Sequence, residues 1–127
     1  MGTLNKILYA EDEPDIQIIA KMALSDIGGF TLKTCNNGAE AVEHAEEFAP
    51  DLILLDVMMP SMDGPSALKL IKEMDSLKNT PVIFMTAKAQ SHEVQQYLDL
   101  GAVDVIAKPF DPMTLASSIT EIYSKHN

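Results

Sequence analysis

The stretch Asp51 to Gly64, DLILLDVMMPSMDG, carries the pattern from which the rest of the chain can be read. Leu52 to Leu55 is an unbroken apolar run of branched side chains, which fits a strand covered on both faces, and such strands belong to parallel sheets. The strand ends at Asp56. A helical pattern starts near Gly64, with Ala67, Leu68, Ile71 and Met74 recurring on one face.

The same unit repeats on either side. Short apolar runs recur at Lys6 to Ala10, Thr31 to Cys35, Val82 to Met85 and Val103 to Ala107, giving five strands. After the first, Pro14 suits a first helical turn. Ile16, Ile19, Ala20, Ala23, Leu24 and Ile27 then form a stripe that Gly28 and Gly29 terminate. A second helix is expected from Gly38 to Phe48, with Ala41, Val42, Ala45 and Phe48 inward; the helical spacing outweighs the hairpin that Asn37-Gly38 could signal. The fourth helix is short, capped by Ser91, with Val94, Tyr97 and Leu98 inward and Gly101 at its end. The fifth starts near Pro112, with Leu115, Ala116, Ile119 and Ile122 inward. Strict alternation of strand and helix requires right-handed crossovers and a parallel sheet. The predicted fold is α/β, a doubly wound five-stranded parallel sheet, (βα)5, in a flavodoxin-like three-layer sandwich. Residues 1–127 are read as a single domain, the size at which one core forms.

Composition removes several function classes. The one cysteine, Cys35, cannot pair within the chain, so a disulfide scaffold is out and a reducing cytoplasm is expected. Cys35 itself ends a strand and reads as buried and inert. Net charge is -10, and all nine basic residues are Lys. Direct nucleic-acid binding is a poor fit, because phosphate and guanine contacts favour the guanidinium fork that this chain lacks. The apolar runs are too short to span a bilayer, and Ile7 to Ala10 ends at once in Glu11, Asp12 and Glu13, unlike an export signal. The three histidines follow no ligand spacing and read as surface residues, and the eight methionines read as core filler and partner contacts.

In a doubly wound sheet, ligands bind outside the carboxyl ends of the strands. There the first strand delivers Glu11, Asp12 and Glu13, the third Asp56, the fourth Thr86 and Ala87, and the fifth Lys108 and Pro109. Carboxylates brought together repel unless a cation neutralises them, and hard oxygen donors favour Mg²⁺. Each residue also has a plain reading. Glu11 to Glu13 could be capping charge ahead of a helix, Asp56 could cap a turn, Thr86 could be a strand residue and Lys108 a solvated one.

Four elements in order carry a resemblance that covers almost the whole chain: Glu11-Asp12-Glu13, DLILLDVMMPSMDG, the MTA of Met85 to Ala87, and the KPF of Lys108 to Phe110. Together they resemble the receiver domain of a two-component response regulator. The resemblance implies that Asp56 accepts a phosphoryl group from a sensor histidine kinase or histidine phosphotransfer protein, in a Mg²⁺-dependent reaction that the domain itself promotes, as it does the later dephosphorylation. Asp12, Asp56 and the main-chain carbonyl of Met58 would ligate Mg²⁺, with Glu11 holding one of its waters. Lys108 and Thr86 would each contact a phosphoryl oxygen, and the Lys108-Pro109 bond would be cis. The output would pass through a downstream protein target, the domain being a signalling switch rather than an enzyme, monomeric or weakly dimeric when phosphorylated. A phosphorylation-independent interaction module of the same fold is the alternative, as is a receiver piece of a larger kinase or transcription regulator; a flavin-binding enzyme lacks its glycine-rich phosphate loop.

Two features depart from what the resemblance leads one to expect. Most receivers have an aromatic residue, which swings inward on phosphorylation, where this chain has Val105, so output should travel by another route and change shape. Beside the acceptor, Met58 and Lys88 are poorly suited to orient an attacking water, which implies moderate to slow self-dephosphorylation.

Overall fold

The computed structural model describes residues 3–126. Five strands, β1 (Lys6–Ala10), β2 (Thr31–Cys35), β3 (Leu52–Asp56), β4 (Val82–Thr86) and β5 (Asp104–Ala107), form one parallel sheet in the order β2-β1-β3-β4-β5. Five helices alternate with them: α1 (Pro14–Lys21), α2 (Gly38–Phe48), α3 (Gly64–Lys72), α4 (Ser91–Asp99) and α5 (Leu115–His126). The predicted doubly wound three-layer architecture is the one observed.

Strand alternation divides the core into two layers. Leu8, Ile53, Leu55, Val82 and Phe84 face α2 and α3 through Ala41, Ala45, Ala67, Leu68 and Ile71. The alternate residues Ile7, Tyr9, Leu52, Leu54, Ile83 and Met85 face α1 and α5 through Ala20, Leu115 and Ile119. Each fully buried Leu or Ile contributes roughly 1.5–3 kcal/mol over its exposed state, so the three central strands, buried along nearly their whole length, supply much of the stability. The edge strands β2 and β5 are only partly covered, because each has a neighbour on one side alone.

Three helical segments and one strand differ from the sequence reading. The segment after α1, Met22–Ile27, is wound as a π-helix, and its wider turn breaks the 3.6-residue stripe. Ile27, expected inward, is therefore exposed; Ile19, also expected inward, is exposed on α1 ahead of that turn. Ser91 is the first residue of α4 rather than its cap; Gln90 precedes it, with its N–H donating to Glu93 Oε1 at 3.1 Å. The fifth helix begins at Leu115 after a turn closed by Leu115 N–H on the Asp111 carbonyl, and the fifth strand begins at Asp104 rather than Val103. By contrast α2 spans the residues expected, with Asn37 Oδ1 accepting from Glu40 N–H at 2.9 Å.

Candidate functional site

Strand order reverses direction at β1, which lies between β2 and β3, so the crevice at the carboxyl ends of β1 and β3 is where such a sheet opens. The residues leaving those ends are Glu11 and Asp12 after β1 and Asp56 at the close of β3. A carboxylate oxygen from each lies within 4.8 Å of the other two. Glu11 is fully buried and Asp56 is 6% exposed, whereas Asp12 faces solvent. From β5, Lys108 reaches between the two buried acids, its Nζ donating to Glu11 Oε1 at 3.1 Å and to Asp56 Oδ2 at 3.2 Å. The Lys108-Pro109 peptide is cis.

Thr86 closes β4 at 7% exposure, and its carbonyl accepts from Lys108 N–H at 2.9 Å, which ties the ends of β4 and β5 together. Its Oγ1 accepts from Lys88 N–H at 3.0 Å. Asp12, Asp56, Met58, Thr86 and Lys108 all line one cavity of about 330 Å³, together with Lys88 and Tyr97. The Met58 side chain is 73% exposed at the rim. All six residues singled out from the sequence thus converge, Glu11 as the buried partner behind Lys108 and the others on the cavity wall.

The electrostatics follow from this packing. Burial pushes Glu11 up to about 7, against the Lys108 hydrogen bond, which lowers it; the nearby Asp56 charge adds to the rise. For Lys108 burial works downward, but its hydrogen bond with Glu11 and the charge of Asp56 outweigh it and leave the ammonium held above its usual value. Among the described residues, Lys108 is the ammonium that pairs with this group of three carboxyls, so the cluster holds more acid than base. A set of hard oxygen donors with that charge deficit fits a small divalent cation.

Several supporting residues were not legible beforehand. Gln17 on α1 donates from Nε2 to the Glu11 carbonyl and to Asn36 Oδ1, fixing the end of β1 to the start of the β2–α2 connection. Gly38 N–H donates to the Met62 carbonyl at 3.0 Å, and Gly64 N–H to the Val57 carbonyl at 2.9 Å, which folds the loop after Asp56 back onto the site. A Cβ on Gly64 would sit 2.5 Å from the Asp56 carbonyl oxygen, so only glycine allows that approach. Tyr97 was legible as an inward residue of α4, but periodicity cannot say that inward here means the cavity. The Tyr9 hydroxyl, buried beneath the site, has no hydrogen-bond partner among the described residues.

Comparison with known proteins places these features in a wider set. Residues 7–120 match the family described as the response regulator receiver domain. Regulatory protein AtoC of Escherichia coli (strain K12) is 37% identical over 111 residues, which cover 87% of this chain and 23% of AtoC. Other curated relatives are matched over about half of their length, so the chain spans a quarter to a half of the proteins it resembles. Chemotaxis response regulator CheY4 of Vibrio cholerae superposes with a TM-score of 0.87 at 29% identity, covering 94% of this chain and 99% of that one. The receiver domain of a sensor histidine kinase from Pseudomonas aeruginosa PAO1, with a magnesium ion coordinated in its active site cleft, superposes with a TM-score of 0.82 at 29% identity, covering 98% of each chain.

Proposed function

The chain belongs to the response regulator receiver domain family, and we propose that residues 1–127 act as one phosphoacceptor switch centred on Asp56. The donor is the phosphohistidine of a sensor histidine kinase or a histidine phosphotransfer protein. An Asp56 carboxylate oxygen attacks phosphorus in line, the phosphorus–nitrogen bond breaks with its electron pair leaving on the imidazole, and an acyl phosphate remains on the chain. Glu11, Asp12, Asp56 and the Met58 carbonyl would hold Mg²⁺, which when bound neutralises charge on the phosphoryl oxygens. Lys108 supplies a fixed ammonium for one phosphoryl oxygen, and the Thr86 hydroxyl donates to another. The domain thereby promotes its own phosphorylation and moderate to slow dephosphorylation, works in the cytoplasm, and signals through contacts with a downstream protein, as a monomer or a weak dimer formed on phosphorylation.

One observation carries this reading: Lys108 Nζ, 97 residues from Glu11 and 52 from Asp56 along the chain, lies within hydrogen-bonding distance of both buried carboxylates. A surface-capping role for these acids would not bury them around a shared ammonium. Incubating the protein with acetyl phosphate and Mg²⁺ and weighing it intact tests the proposal. The wild type should gain the mass of one phosphoryl group, and Asp56→Asn or the addition of EDTA should abolish the gain. A mass increase that survives in Asp56→Asn overturns the assignment.

A further inference from the structure

Tyr97 lines the cavity that Asp56, Thr86 and Lys88 also line, and it is half-buried. Its ring packs edge-on against Phe84 of β4, with centroids 5.3 Å apart and planes at 67°. Phe84 is the register partner of Val105 on β5, and Val105 packs into the same layer as Tyr97. The side chain at 105 is small and carries no ring, and the aromatic partner of Phe84 comes instead from the helix, as Tyr97.

The helix that carries Tyr97 is the least firmly held of the five. No residue of α4 is fully buried, whereas each of the other four contributes at least one buried side chain. Its anchorage therefore depends on partly covered residues, of which Tyr97 is the largest. The carbonyl of Tyr97 also accepts from the N–H groups of Leu100 and Ala102, both at 3.2 Å, so the C-terminal end of the helix is tied to this same residue. At the other end, Thr86 Oγ1 accepts from Lys88 N–H, which leaves the hydroxyl proton of Thr86 free to be donated into the cavity while the oxygen stays coupled to the loop before α4.

We propose that Tyr97 senses occupancy of the Asp56 cavity and passes it to α4, so that the ring on the helix takes the coupling role that a residue of Val105's size on β5 cannot fill. The inference rests on the proposed function, since the occupant is a phosphoryl group on Asp56. That group enters the space the Tyr97 ring borders and draws the Thr86 hydroxyl toward it. Thr86 moves the Lys88 loop, the ring must change its packing on Phe84, and α4, with nothing fully buried to resist, shifts with it.

The chain contains three tyrosines and no tryptophan, so 3-fluorotyrosine labelling gives three fluorine resonances, and Tyr97→Phe identifies the one from Tyr97 by deleting it. With Mg²⁺ and beryllium fluoride, a phosphoryl mimic, the Tyr97 resonance is expected to move and the amide resonances of α4 to move with it. Tyr97→Ala should still gain phosphoryl mass from acetyl phosphate, while its α4 amide shifts fall to less than about half of the wild-type response. Tyr97→Phe, which keeps the ring, should restore that response. A Tyr97 resonance that stays put while the wild type gains mass overturns the inference and leaves the phosphoacceptor intact, as does a full α4 response in Tyr97→Ala. A wild type that gains no mass overturns the phosphoacceptor reading first, and the coupling falls with it.

Discussion

Asp56→Asn should make the metal-free protein more stable, although it removes a buried ion-pair partner. At an effective dielectric of about 20, the Lys108 ammonium at 3.2 Å attracts the Asp56 carboxylate by about 5 kcal/mol. Above the value of about 7 at which Glu11 ionises, its repulsion from within 4.8 Å takes back at least about 3.5 kcal/mol on the same scale. Asp12 adds a further repulsion of about 1 kcal/mol once solvent screening is allowed for. The charge interactions nearly cancel, and the desolvation of a carboxylate that is 6% exposed, several kcal/mol in general, is left without compensation. An amide of the same shape escapes that cost, retains a carbonyl for Lys108, and loses the attraction and the repulsion together. The expected net gain is about 1–2 kcal/mol, or a Tm rise of about 5 °C for a domain of this size. Urea unfolding in EDTA measures it. In excess Mg²⁺ the order should narrow or reverse, because a cation bound to the native state stabilises the wild type by mass action and loses one of its carboxylates in the variant. An Asp56→Asn protein less stable than wild type in EDTA, or one that responds to Mg²⁺ equally, would refute the balance drawn here.

Three further outcomes follow from buried positions. Gly64→Ala places a methyl group 2.5 Å from the Asp56 carbonyl oxygen and 3.1 Å from the Phe84 ring, so it should cost about 1–3 kcal/mol in urea unfolding and weaken Mg²⁺ binding as the loop after Asp56 is displaced; unchanged Mg²⁺ affinity would show that the loop does not position the site. Tyr9→Phe removes a buried hydroxyl that has no partner among the described residues and should stabilise the fold by about 1 kcal/mol, whereas a loss of stability would reveal a bound water in its place. Burial pushes the Cys35 thiol up to about 11, from an unfolded value near 9. The native state therefore retains a proton that the unfolded state gives up, the stabilisation is complete below pH 9, and about 1.4 kcal/mol of it is lost by pH 10. Cys35→Ala should flatten that part of the pH–stability curve, and a curve of unchanged slope would assign the loss to other groups.

The fold was legible where a single physical signal dominated. Unbroken apolar runs marked the central strands, and helical spacing placed α2 at Gly38 to Phe48 against the hairpin that Asn37-Gly38 could signal; the capping of that helix by Asn37, which accepts from Glu40 N–H, emerged only with the structure. Legibility failed where tertiary contacts overrode periodicity. A π-helical turn has no signature in the spacing of Met22 to Ile27, and the outward turn of Ile27 follows from it. Ser91 is a good cap by type, yet Gln90 precedes the helix, since the side chain of Glu93 satisfies its N–H. At the site, the strand-end rule brought Glu11, Asp12, Asp56, Thr86 and Lys108 together because parallel strands share one edge. The contacts of Gln17, the closeness of Gly38 and Gly64 to neighbouring backbone, and the aim of Tyr97 into the cavity depend on how loops and helices pack, which strand order alone does not fix.

The long sequence separation of Lys108 from its two carboxylates also bears on how the molecule is made. During synthesis on a ribosome, Glu11, Asp12 and Asp56 emerge well before the ammonium that will sit among them. Until the fifth strand follows, the growing chain holds an acidic cluster without the Lys108 ammonium that joins two of its members, and a fourth strand with a bare flank. A truncated translation product ending before that strand would therefore keep all three carboxylates and lack the ammonium that joins two of them.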